Sequence, residues 1–356
     1  MTQRAYNFSA GPATLPLEVL EEAREALLSL GDLGAGILEV SHRGPEYTEI
    51  HESARARLLQ LLGAGSDWEL LFLQGGASLQ FTMVPQNLGA DADYVLTGNW
   101  SQKAIAEARL LGGDVHVAAS SEDTGFDRIP TELDLRPGAS FVHVTSNNTV
   151  RGTQWPELPR TDAPLVVDMS SDILSRPVDL DRVGLIYAGA QKNLGPAGVT
   201  LVLIRKELLA RTPDGLPTLL RYTTHAEKGS RFNTPPVFAI YVVGLVARWI
   251  ESQGGVAALA ARNEAKAQRL YAAIDASPLY EGTARPESRS RMNVTFRITR
   301  DGLEEEFLRG AAARGLLGLK GHRSVGGLRA SIYNAMPPEG VDALVRYLDE
   351  FAAAHA

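Results

Sequence analysis

A lysine and an aspartate, each close to the end of an apolar run, are the residues of this sequence best suited to catalysis. Lys192 follows the run Val183–Tyr187 and has small residues on both sides, which leaves room for a planar ligand. Asp168 ends the run that begins at Leu165. A lysine amine can form an imine with an aldehyde, and a carboxylate can keep a pyridine nitrogen protonated. The pair favours a pyridoxal phosphate site, although a surface lysine and a turn-capping aspartate would give the same pattern.

A glycine-containing segment, Gln74–Phe81, provides a candidate phosphate site. It follows the apolar run Glu69–Leu73 and opens a helical pattern, so backbone N–H groups at the helix start would be free to bind an anion. The Gly-Lys-Ser/Thr ending of a Walker loop is absent. A phosphate-binding loop and an ordinary tight turn therefore both remain open from the residues alone.

Two more segments place suitable side chains at predicted strand ends. Trp100 comes shortly after Tyr94–Thr97 and could stack on a flat ring or fill space in the core. Thr149 comes after Phe141–Thr145 and could donate to a phenolic oxygen or form a Ser/Thr turn. Open α/β sheets bind ligands at the carboxyl ends of parallel strands, so we expect these side chains to converge. The residues expected at that edge are Trp100, Thr145, Asp168 and Lys192.

Cationic side chains cluster near both ends of the chain. The segment Ser41-His-Arg43 lies near the N-terminus, and Gly321-His-Arg-Ser324 with Arg329 lies near the C-terminus. Guanidinium groups match the geometry of carboxylate and phosphate oxygens. Each cluster alone is typical of a solvated loop, but together they indicate a receptor for a small anionic substrate.

The segment Asn233-Thr-Pro-Pro236 predicts the start of a helix. Thr234 would cap the helix, and a proline would occupy its first turn. The side chains of Asn233 and Thr234 could in addition reach a phosphate.

Short apolar runs alternate with helical patterns over the first two thirds of the chain, after two helical patterns that end at Leu30 and Gly63. This alternation predicts a mostly parallel sheet covered by helices on both faces. The strand candidates are Glu69–Leu73, Tyr94–Thr97, Val115–Ala118, Phe141–Thr145, Leu165–Asp168, Leu185–Ala188 and Thr200–Ile204.

The last third of the chain has a different pattern. A long helical stretch runs from Pro236 to about Ile274, with a predicted break at Gly254-Gly255, and residues 277–291 form a predicted loop. Four further elements then predict a smaller α+β unit. They are a strand (Met292–Ile298), a helix (Leu303–Arg314), a strand (Leu328–Tyr333) and a helix (Gly340–Ala354).

The composition excludes several classes of protein and site. The chain has 356 residues, a formal net charge of -7 and a pI near 5.6, which argues against nucleic acid or a membrane surface as partner. It has no cysteine, so disulfides, thiolate catalysis and cysteine-ligated metals are excluded, and we expect no metal site. The first residues lack an apolar signal segment, and the run Val237–Ile250 is too short to span a bilayer. We therefore expect a cytoplasmic protein.

Several of these segments together resemble the phosphoserine aminotransferases, a class V family of pyridoxal-phosphate enzymes with the type I aminotransferase fold. The matching segments follow the family's order through nearly the whole chain. They are Asn7-Phe-Ser-Ala-Gly-Pro12, Ser41-His-Arg43, Leu73–Phe81, Thr145-Ser-Asn-Asn-Thr149, Val167–Asp172, Tyr187–Asn193, Asn233-Thr-Pro-Pro236 and Gly321–Asn334.

The resemblance implies a fold and an assembly. A large pyridoxal-phosphate domain with a mostly parallel seven-stranded sheet would occupy residues 16–253, and a small α+β domain would occupy residues 254–356. Residues 1–15 would form an N-terminal segment associated with the small domain. The protein would be a homodimer with shared active sites, acting on small anionic substrates.

The resemblance also implies a role for each matching site residue. Lys192 would carry the Schiff base and shuttle a proton, Asp168 would pair with the pyridine nitrogen, and Trp100 would stack on the ring. Thr149 would bond the phenolic oxygen. The cofactor phosphate would be bound by Gly76, Ala77 and Gln191, with Asn233 and Thr234 reaching in from the second subunit. The substrate would be bound by Ser9, by His42, Arg43, His322 and Arg323 at its distal anion, and by Arg329 at its α-carboxylate.

The activity implied is reversible amino transfer between phosphoserine and 2-oxoglutarate in serine biosynthesis, with phosphohydroxythreonine in pyridoxine biosynthesis as a possible second substrate. One alternative is another class V aminotransferase, such as the alanine–glyoxylate type, which would leave the distal cations unexplained. A second is a ligand-sensing module that has kept the fold without turnover. A cysteine desulfurase is excluded because the chain has no cysteine.

Overall fold

The computed structural model describes residues 4–356, so residues 1–3 of the predicted N-terminal segment lie outside the described residues. The helices are α1 (Leu17–Leu28), α2 (Pro45–Leu62), α3 (Gly76–Leu88), α4 (Asn99–Leu110), α5 (Lys206–Leu209), α6 (Tyr222–Glu227), α7 (Val237–Ser252), α8 (Gly255–Ala276), α9 (Glu304–Ala313) and α10 (Pro338–Ala354). The strands are β1 (Tyr6–Asn7), β2 (Trp68–Leu73), β3 (Ala92–Leu96), β4 (Val115–Ser120), β5 (Val142–Thr145), β6 (Asn147–Asn148), β7 (Thr153–Gln154), β8 (Leu165–Asp168), β9 (Leu185–Gly189), β10 (Thr200–Arg205), β11 (Tyr280–Gly282), β12 (Asn293–Ile298), β13 (Leu316–Leu317) and β14 (Leu328–Ser331).

A seven-stranded sheet forms the centre of the larger part of the molecule, in the order β2-β10-β9-β8-β5-β3-β4. All its strands run parallel except β10, which is antiparallel to both of its neighbours. The prediction of a mostly parallel, seven-stranded sheet is therefore confirmed. Strand β10 runs the other way because only residues 190–199 join it to β9, and this connection contains no crossover helix. The same short connection carries Lys192.

Both faces of the sheet are covered, because the side chains of each strand alternate between two hydrophobic cores. In β2, Leu70 and Phe72 belong to the core that includes residues of α1, α2 and α7. Leu71 and Leu73 point the other way, into the core that includes residues of α3 and α4. This layering holds the carboxyl ends of the parallel strands at one edge.

A smaller unit is built around the antiparallel sheet β11-β12-β14 and the helices α9 and α10. Strand β1 pairs in parallel with β13, and Phe8 enters the core of this unit. Helix α8 contributes to two cores, with Leu259 in the larger part and Leu270 in the smaller. The division of the chain at residues 15 and 253 therefore stays a proposal.

The predicted break in the long C-terminal helical stretch is confirmed. Helix α7 ends at Ser252, and α8 begins at Gly255. Gly254 and Gly255 have φ values of +90° and +78°, which glycine adopts without the steric cost that a side chain would bring.

Two local predictions are wrong, the capping role of Thr234 and the loop over residues 277–291. Helix α7 begins at Val237 without a side-chain cap, so Thr234 does not cap it. A residue before a proline is pushed towards extended backbone, and Pro235 and Pro236 follow Thr234 directly. The predicted loop over residues 277–291 contains the strand β11, which pairs with β12.

Candidate active site

Lys192 lies in the connection between β9 and β10, directly after the carboxyl end of β9. The N-terminal segment crosses this connection, and Ala13 N donates to Gln191 O at 2.9 Å. Gly11 has a φ of +149°, which side-chain-bearing residues rarely adopt, and a Cβ added there would lie 3.2 Å from Lys192 Cγ, so a glycine suits this close approach. The N-terminal segment thus packs against the stem of the lysine, while the residue keeps some access to solvent.

Asp168 ends β8 and is almost fully buried beside the lysine. Ser170 N donates to Asp168 Oδ1 at 3.0 Å. Burial raises the pKa of Asp168, whereas the charge of Lys192 and hydrogen bonds from Ser170 and Tyr187 lower it. Desolvation lowers the pKa of Lys192 to about 8; the negative charge of Asp168 opposes this shift, and the positive charge of Arg329 adds to it. Part of the lysine is therefore a neutral amine, and hence nucleophilic, near neutral pH.

Trp100 and Thr149 lie on the same edge. Trp100 is in the first turn of α4, and Lys192 Nζ lies 5.3 Å from the centre of its ring. The indole Nε1 of Trp100 donates to Thr149 Oγ1 at 3.1 Å, which fixes the plane of the ring. Arg329 Nη1 donates to the Thr149 carbonyl oxygen at 3.2 Å, so the smaller unit reaches this edge through β14. Thr145 pairs with Asp168 where β5 and β8 end, so the predicted convergence of Trp100, Thr145, Asp168 and Lys192 is present in the structure.

The glycine segment opens α3 as expected. Gly75 and Gly76 have φ values of +89° and +66°, and α3 starts at Gly76 with Ala77 in its first turn. The first N–H groups of a helix have no intrahelical acceptor, and the helix dipole favours an anion there. Asn233 Nδ2 lies 3.4 Å from Gln74 Oε1 of the same chain, and both Asn233 and Thr234 are exposed.

The cationic side chains fall into two places. His322 and Arg323 lie in the loop before β14, which carries Arg329. Desolvation lowers the pKa of His322, and the charges of Arg329, Arg323, Lys103 and Arg151 lower it further. These groups therefore form one region of positive potential.

The N-terminal pair, His42 and Arg43, lies in the turn before α2. Among residues 4–356, no hydrogen bond or ion pair joins this pair to the C-terminal loop. The buried His42 Nε2 has no partner within the described chain. Ser9 follows β1, and its N–H donates to Asn7 Oδ1 at 3.1 Å.

Sequence reasoning missed residues that support the site from behind. Ser170 also accepts a hydrogen bond from Gly189 N at 3.1 Å, which ties the ends of β8 and β9 together. The Tyr187 hydroxyl, which bonds Asp168, lies 2.8 Å from His143 Nε2. Burial lowers the pKa of His143 to about 3, so this ring is neutral at neutral pH. Ser170 and Tyr187 lie within the segments singled out around Asp168 and Lys192, so their position was a usable signal.

These features fit the aldehyde cofactor expected from the sequence. A buried carboxylate, a lysine of lowered pKa and an oriented indole surround one edge of the sheet, near a helix N-terminus that can accept a phosphate. Thr145 Oγ1 and Arg329 Nε are buried there and have no hydrogen-bond partner among residues 4–356, as expected where a polar ligand completes the hydrogen bonding. The arrangement suits a planar, phosphorylated pyridine derivative.

Comparison with known proteins points to the same family as the sequence segments. The model of the class V aminotransferases matches residues 5–344. The phosphoserine aminotransferase of Desulfosudis oleivorans is 54% identical over 356 residues, covering 99% of both chains. The structure matches the phosphoserine aminotransferase from Bacillus circulans subsp. alkalophilus with a TM-score of 0.97 and 51% identity, covering 99% of both chains. It also matches PLP-bound phosphoserine aminotransferase from Trichomonas vaginalis with a TM-score of 0.93 and 41% identity, covering 97% of this chain and 100% of that one.

Proposed function

Since this chain belongs to the class V aminotransferases and, within them, to the phosphoserine aminotransferases, we propose that it transfers an amino group reversibly between O-phospho-L-serine and 2-oxoglutarate. The products are 3-phosphohydroxypyruvate and L-glutamate, and the reaction serves serine biosynthesis. The observation that carries the proposal is the placement of Lys192 beside buried Asp168 and over the Trp100 ring, with the cationic loop of Arg329 next to them.

Pyridoxal phosphate supplies, when bound, an electron sink for the negative charge that develops at the substrate Cα. In our proposal, Asp168 holds the proton on the pyridine nitrogen, Trp100 covers one face of the ring, and Thr149 bonds the phenolic oxygen. Gly76, Ala77 and Gln191 bind its phosphate. The burial that raises the pKa of Asp168 also keeps water away, so its interaction with a protonated ring nitrogen is stronger than in solution.

Lys192 performs the proton transfer in this proposal. Its Nζ would take a proton from the substrate Cα and deliver it to the C4′ carbon of the cofactor in the same half-reaction. A general base works best when its pKa lies near the working pH, and burial lowers the pKa of this lysine to about 8.

The substrate is held by its charges. Arg329 is fixed by its bond to the Thr149 carbonyl oxygen, close to Lys192, where it can bind the α-carboxylate that all amino-acid substrates share. His322 and Arg323, together with His42, Arg43 and Ser9, receive the distal phosphate or carboxylate. Flexible cations suit a pocket that must accept a phosphate in one half-reaction and a carboxylate in the other.

We also propose a homodimer in which Asn233 and Thr234 reach the cofactor phosphate of the second subunit. Both are exposed in the single chain, and an apolar surface lies on α1 and the segment after it. The exposed leucines of this surface are Leu17, Leu20, Leu27, Leu28, Leu33 and Leu38. Several exposed leucines in one segment of the chain favour a protein–protein interface there.

Some finer expectations stay predictions. A second role in pyridoxine biosynthesis and a cytoplasmic location rest on the sequence. No helix within residues 4–356 is long and apolar enough to cross a membrane. The substrates of an alanine–glyoxylate aminotransferase have no distal dianion, so that alternative does not explain the positive region around His322. A ligand-sensing module would not need a lysine of lowered pKa.

The cofactor absorbance spectrum tests the activity directly. Phosphoserine added to the cofactor-loaded protein should change the visible spectrum in the absence of an acceptor, and 2-oxoglutarate should restore it. Formation of 3-phosphohydroxypyruvate should match the loss of phosphoserine. A spectrum that alanine changes as readily as phosphoserine would favour the alanine–glyoxylate type, and no change with any amino acid would favour the sensing module.

A further inference from the structure

Arg151 is a cation without an assigned role in the positive region of the site. It lies two residues after Thr149, in the turn of the hairpin β6–β7. Its backbone is fixed, because its carbonyl oxygen accepts a hydrogen bond from Thr295 Oγ1 at 3.1 Å. The turn that presents Arg151 is therefore attached both to the large sheet and to β12 of the smaller unit.

The Arg151 side chain is held between two surfaces. Its guanidinium carbon lies 5.1 Å from the centre of the Phe126 ring, and a Cβ added at Gly98 would lie 3.7 Å from its Cγ, so the stem passes close to this glycine. An aromatic face of this kind orients an arginine without neutralising its charge. The Nε of Arg151 is buried and has no hydrogen-bond partner among residues 4–356.

No carboxylate compensates this charge. Within the described part of the chain, Arg151 forms no ion pair. Asp127 lines the same cavity, but it is engaged by Arg285 at 3.0 Å and by Thr124 at 2.6 Å. Burial lowers the pKa of Arg151, and the charge of Arg297 lowers it further. An arginine held in place among other cations is a receptor for an anion rather than half of a structural ion pair.

The surroundings of Arg151 connect it to the substrate site. A cavity of about 90 Å³ is lined by Arg151, Arg297, His322 and Arg329 together with neutral residues and Asp127. Arg151 and His322 thus line the same cavity, and burial, the charges of Arg329, Arg323 and Lys103, and the charge of Arg151 lower the pKa of His322. Arg329 is anchored to the carbonyl of Thr149, only two residues from Arg151.

We propose that Arg151 is a specificity-determining residue that binds the distal phosphate of the substrate together with His322. This inference rests on the proposed function and deepens it, because it assigns to the same chain a phosphate receptor that the sequence did not single out. The planar guanidinium of an arginine can donate two parallel hydrogen bonds to two phosphate oxygens. A bound dianion also relieves the mutual repulsion of the surrounding cations. A substrate without a distal anion gains nothing from this group.

Substitution at Arg151 tests the proposal. Arg151→Gln should lower kcat/KM for phosphoserine by about ten- to a hundredfold, the loss expected for one charge-assisted bond, and leave alanine within about twofold. Arg151→Lys keeps the positive charge but cannot donate two parallel hydrogen bonds. Its kcat/KM for phosphoserine should therefore lie between that of Arg151→Gln and that of wild type. The matched control is Arg128→Gln, an arginine near the same cavity whose charge is paired with Asp123 at 2.9 Å, and it should change neither substrate.

Binding of inorganic phosphate to the cofactor-loaded protein, measured by calorimetry, separates this inference from the proposed function. The Kd for phosphate should rise about ten- to a hundredfold in Arg151→Gln and stay unchanged in Arg128→Gln. If wild type fails to transaminate phosphoserine, the proposed function fails, and the phosphate titration still decides whether Arg151 binds the anion. Equal losses for alanine and phosphoserine, or an unchanged Kd for phosphate, would overturn the inference. If Arg151→Gln does not fold, the same measurements on Arg151→Lys decide it.

Discussion

The chemistry of the site depends at the residue scale on one amine and one carboxylate in a shared desolvated environment. Desolvation favours the neutral form of Lys192, while the charge of Asp168 favours the ammonium form. The resulting pKa of about 8 is lowered from the ordinary value of 10.5. The lysine is therefore able to exchange a proton under mild conditions, which a solvated lysine does poorly.

We expect competitive labelling of the cofactor-free protein with acetic anhydride, followed by mass spectrometry, to show this pKa. Only the neutral amine reacts, so labelling of Lys192 should reach half of its plateau near pH 8. In Asp168→Asn the opposing negative charge is absent, and the midpoint should move to a lower pH. A midpoint near the ordinary value of lysine, or an upward shift in Asp168→Asn, would contradict this electrostatic account.

The substrate-binding arginines should divide by the part of the substrate that they bind. Arg329→Ala should lower kcat/KM for phosphoserine, glutamate and alanine together, because each has an α-carboxylate. Arg323→Ala and Arg43→Ala should lower phosphoserine by about ten- to a hundredfold more than alanine, since only phosphoserine has a distal phosphate. Steady-state kinetics with the three amino acids would check this. If the Arg43 and Arg323 variants lose kcat/KM for phosphoserine and for alanine in equal proportion, neither arginine binds the distal phosphate.

A buried polar network joins three elements around the Lys192 connection at the element scale. From α8, Asn263 Nδ2 donates to Asn334 Oδ1 at 2.8 Å. The backbone N–H of Asn334 donates in turn to Asn193 Oδ1 at 3.0 Å, and Asn193 is the residue after Lys192. The helix, the segment after β14 and the catalytic connection are thus held in one geometry. Hydrogen bonds between buried polar groups depend on direction and so favour one arrangement, which an apolar contact would not specify.

Lys266 anchors the same part of α8 without a carboxylate partner. It is 3% exposed, and its Nζ donates to the carbonyl oxygens of Ile332, Tyr333 and Met336 at 2.9, 2.7 and 3.0 Å. Burial lowers the pKa of Lys266 to about 7. The unfolded state therefore binds more protons than the folded state between this pKa and 10.5, and the contribution of Lys266 to stability rises with pH in that window.

Replacement by methionine should expose this dependence. Lys266→Met leaves the buried carbonyl oxygens of Ile332 and Met336 without their lysine donor, which costs on the order of 1–3 kcal/mol each, whereas the carbonyl oxygen of Tyr333 still accepts from Met336 N at 3.0 Å. The difference in free energy of unfolding between wild type and the variant should widen by roughly 2–4 kcal/mol from about pH 7 to about pH 9.5. Urea denaturation at both pH values measures it, with exposed Lys228→Met as the matched control. If the difference in free energy of unfolding between wild type and variant stays constant with pH, the carbonyl oxygens keep Lys266 protonated throughout the range.

At the scale of the whole molecule, the proposed dimer makes the active site a product of two chains. Asn233 and Thr234 are exposed in the single chain, and within residues 4–356 no hydrogen bond or ion pair joins His42 or Arg43 to the loop that carries His322 and Arg323. Mixing Lys192→Ala protein with protein carrying Asn233→Ala and Thr234→Ala should therefore restore some activity, because one site of each hybrid dimer has both sets of residues. Activity after joint refolding, compared with each variant alone, checks this. A fully active monomer in sedimentation would contradict the shared site.

The sequence by itself determined the parts of this protein that depend on local pattern. The seven apolar runs predicted the strands because a strand covered on both faces must be apolar along its length. Lys192 and Asp168 could be found because each comes at the end of such a run. The break at Gly254-Gly255 was visible because only glycine tolerates that backbone.

Only the tertiary structure decided which distant residues meet and what local signals are overridden. Thr234 looks like a helix cap, but two following prolines keep the backbone extended and delay α7 to Val237. The two-residue pairing of β1 with β13 is too short to leave a pattern, and its partners are far apart in the chain. Arg151 is one of many arginines in the sequence. Its charge becomes informative only when folding places it beside His322, on the Phe126 ring and without a carboxylate, because electrostatic interactions depend on distance and burial rather than on order along the chain.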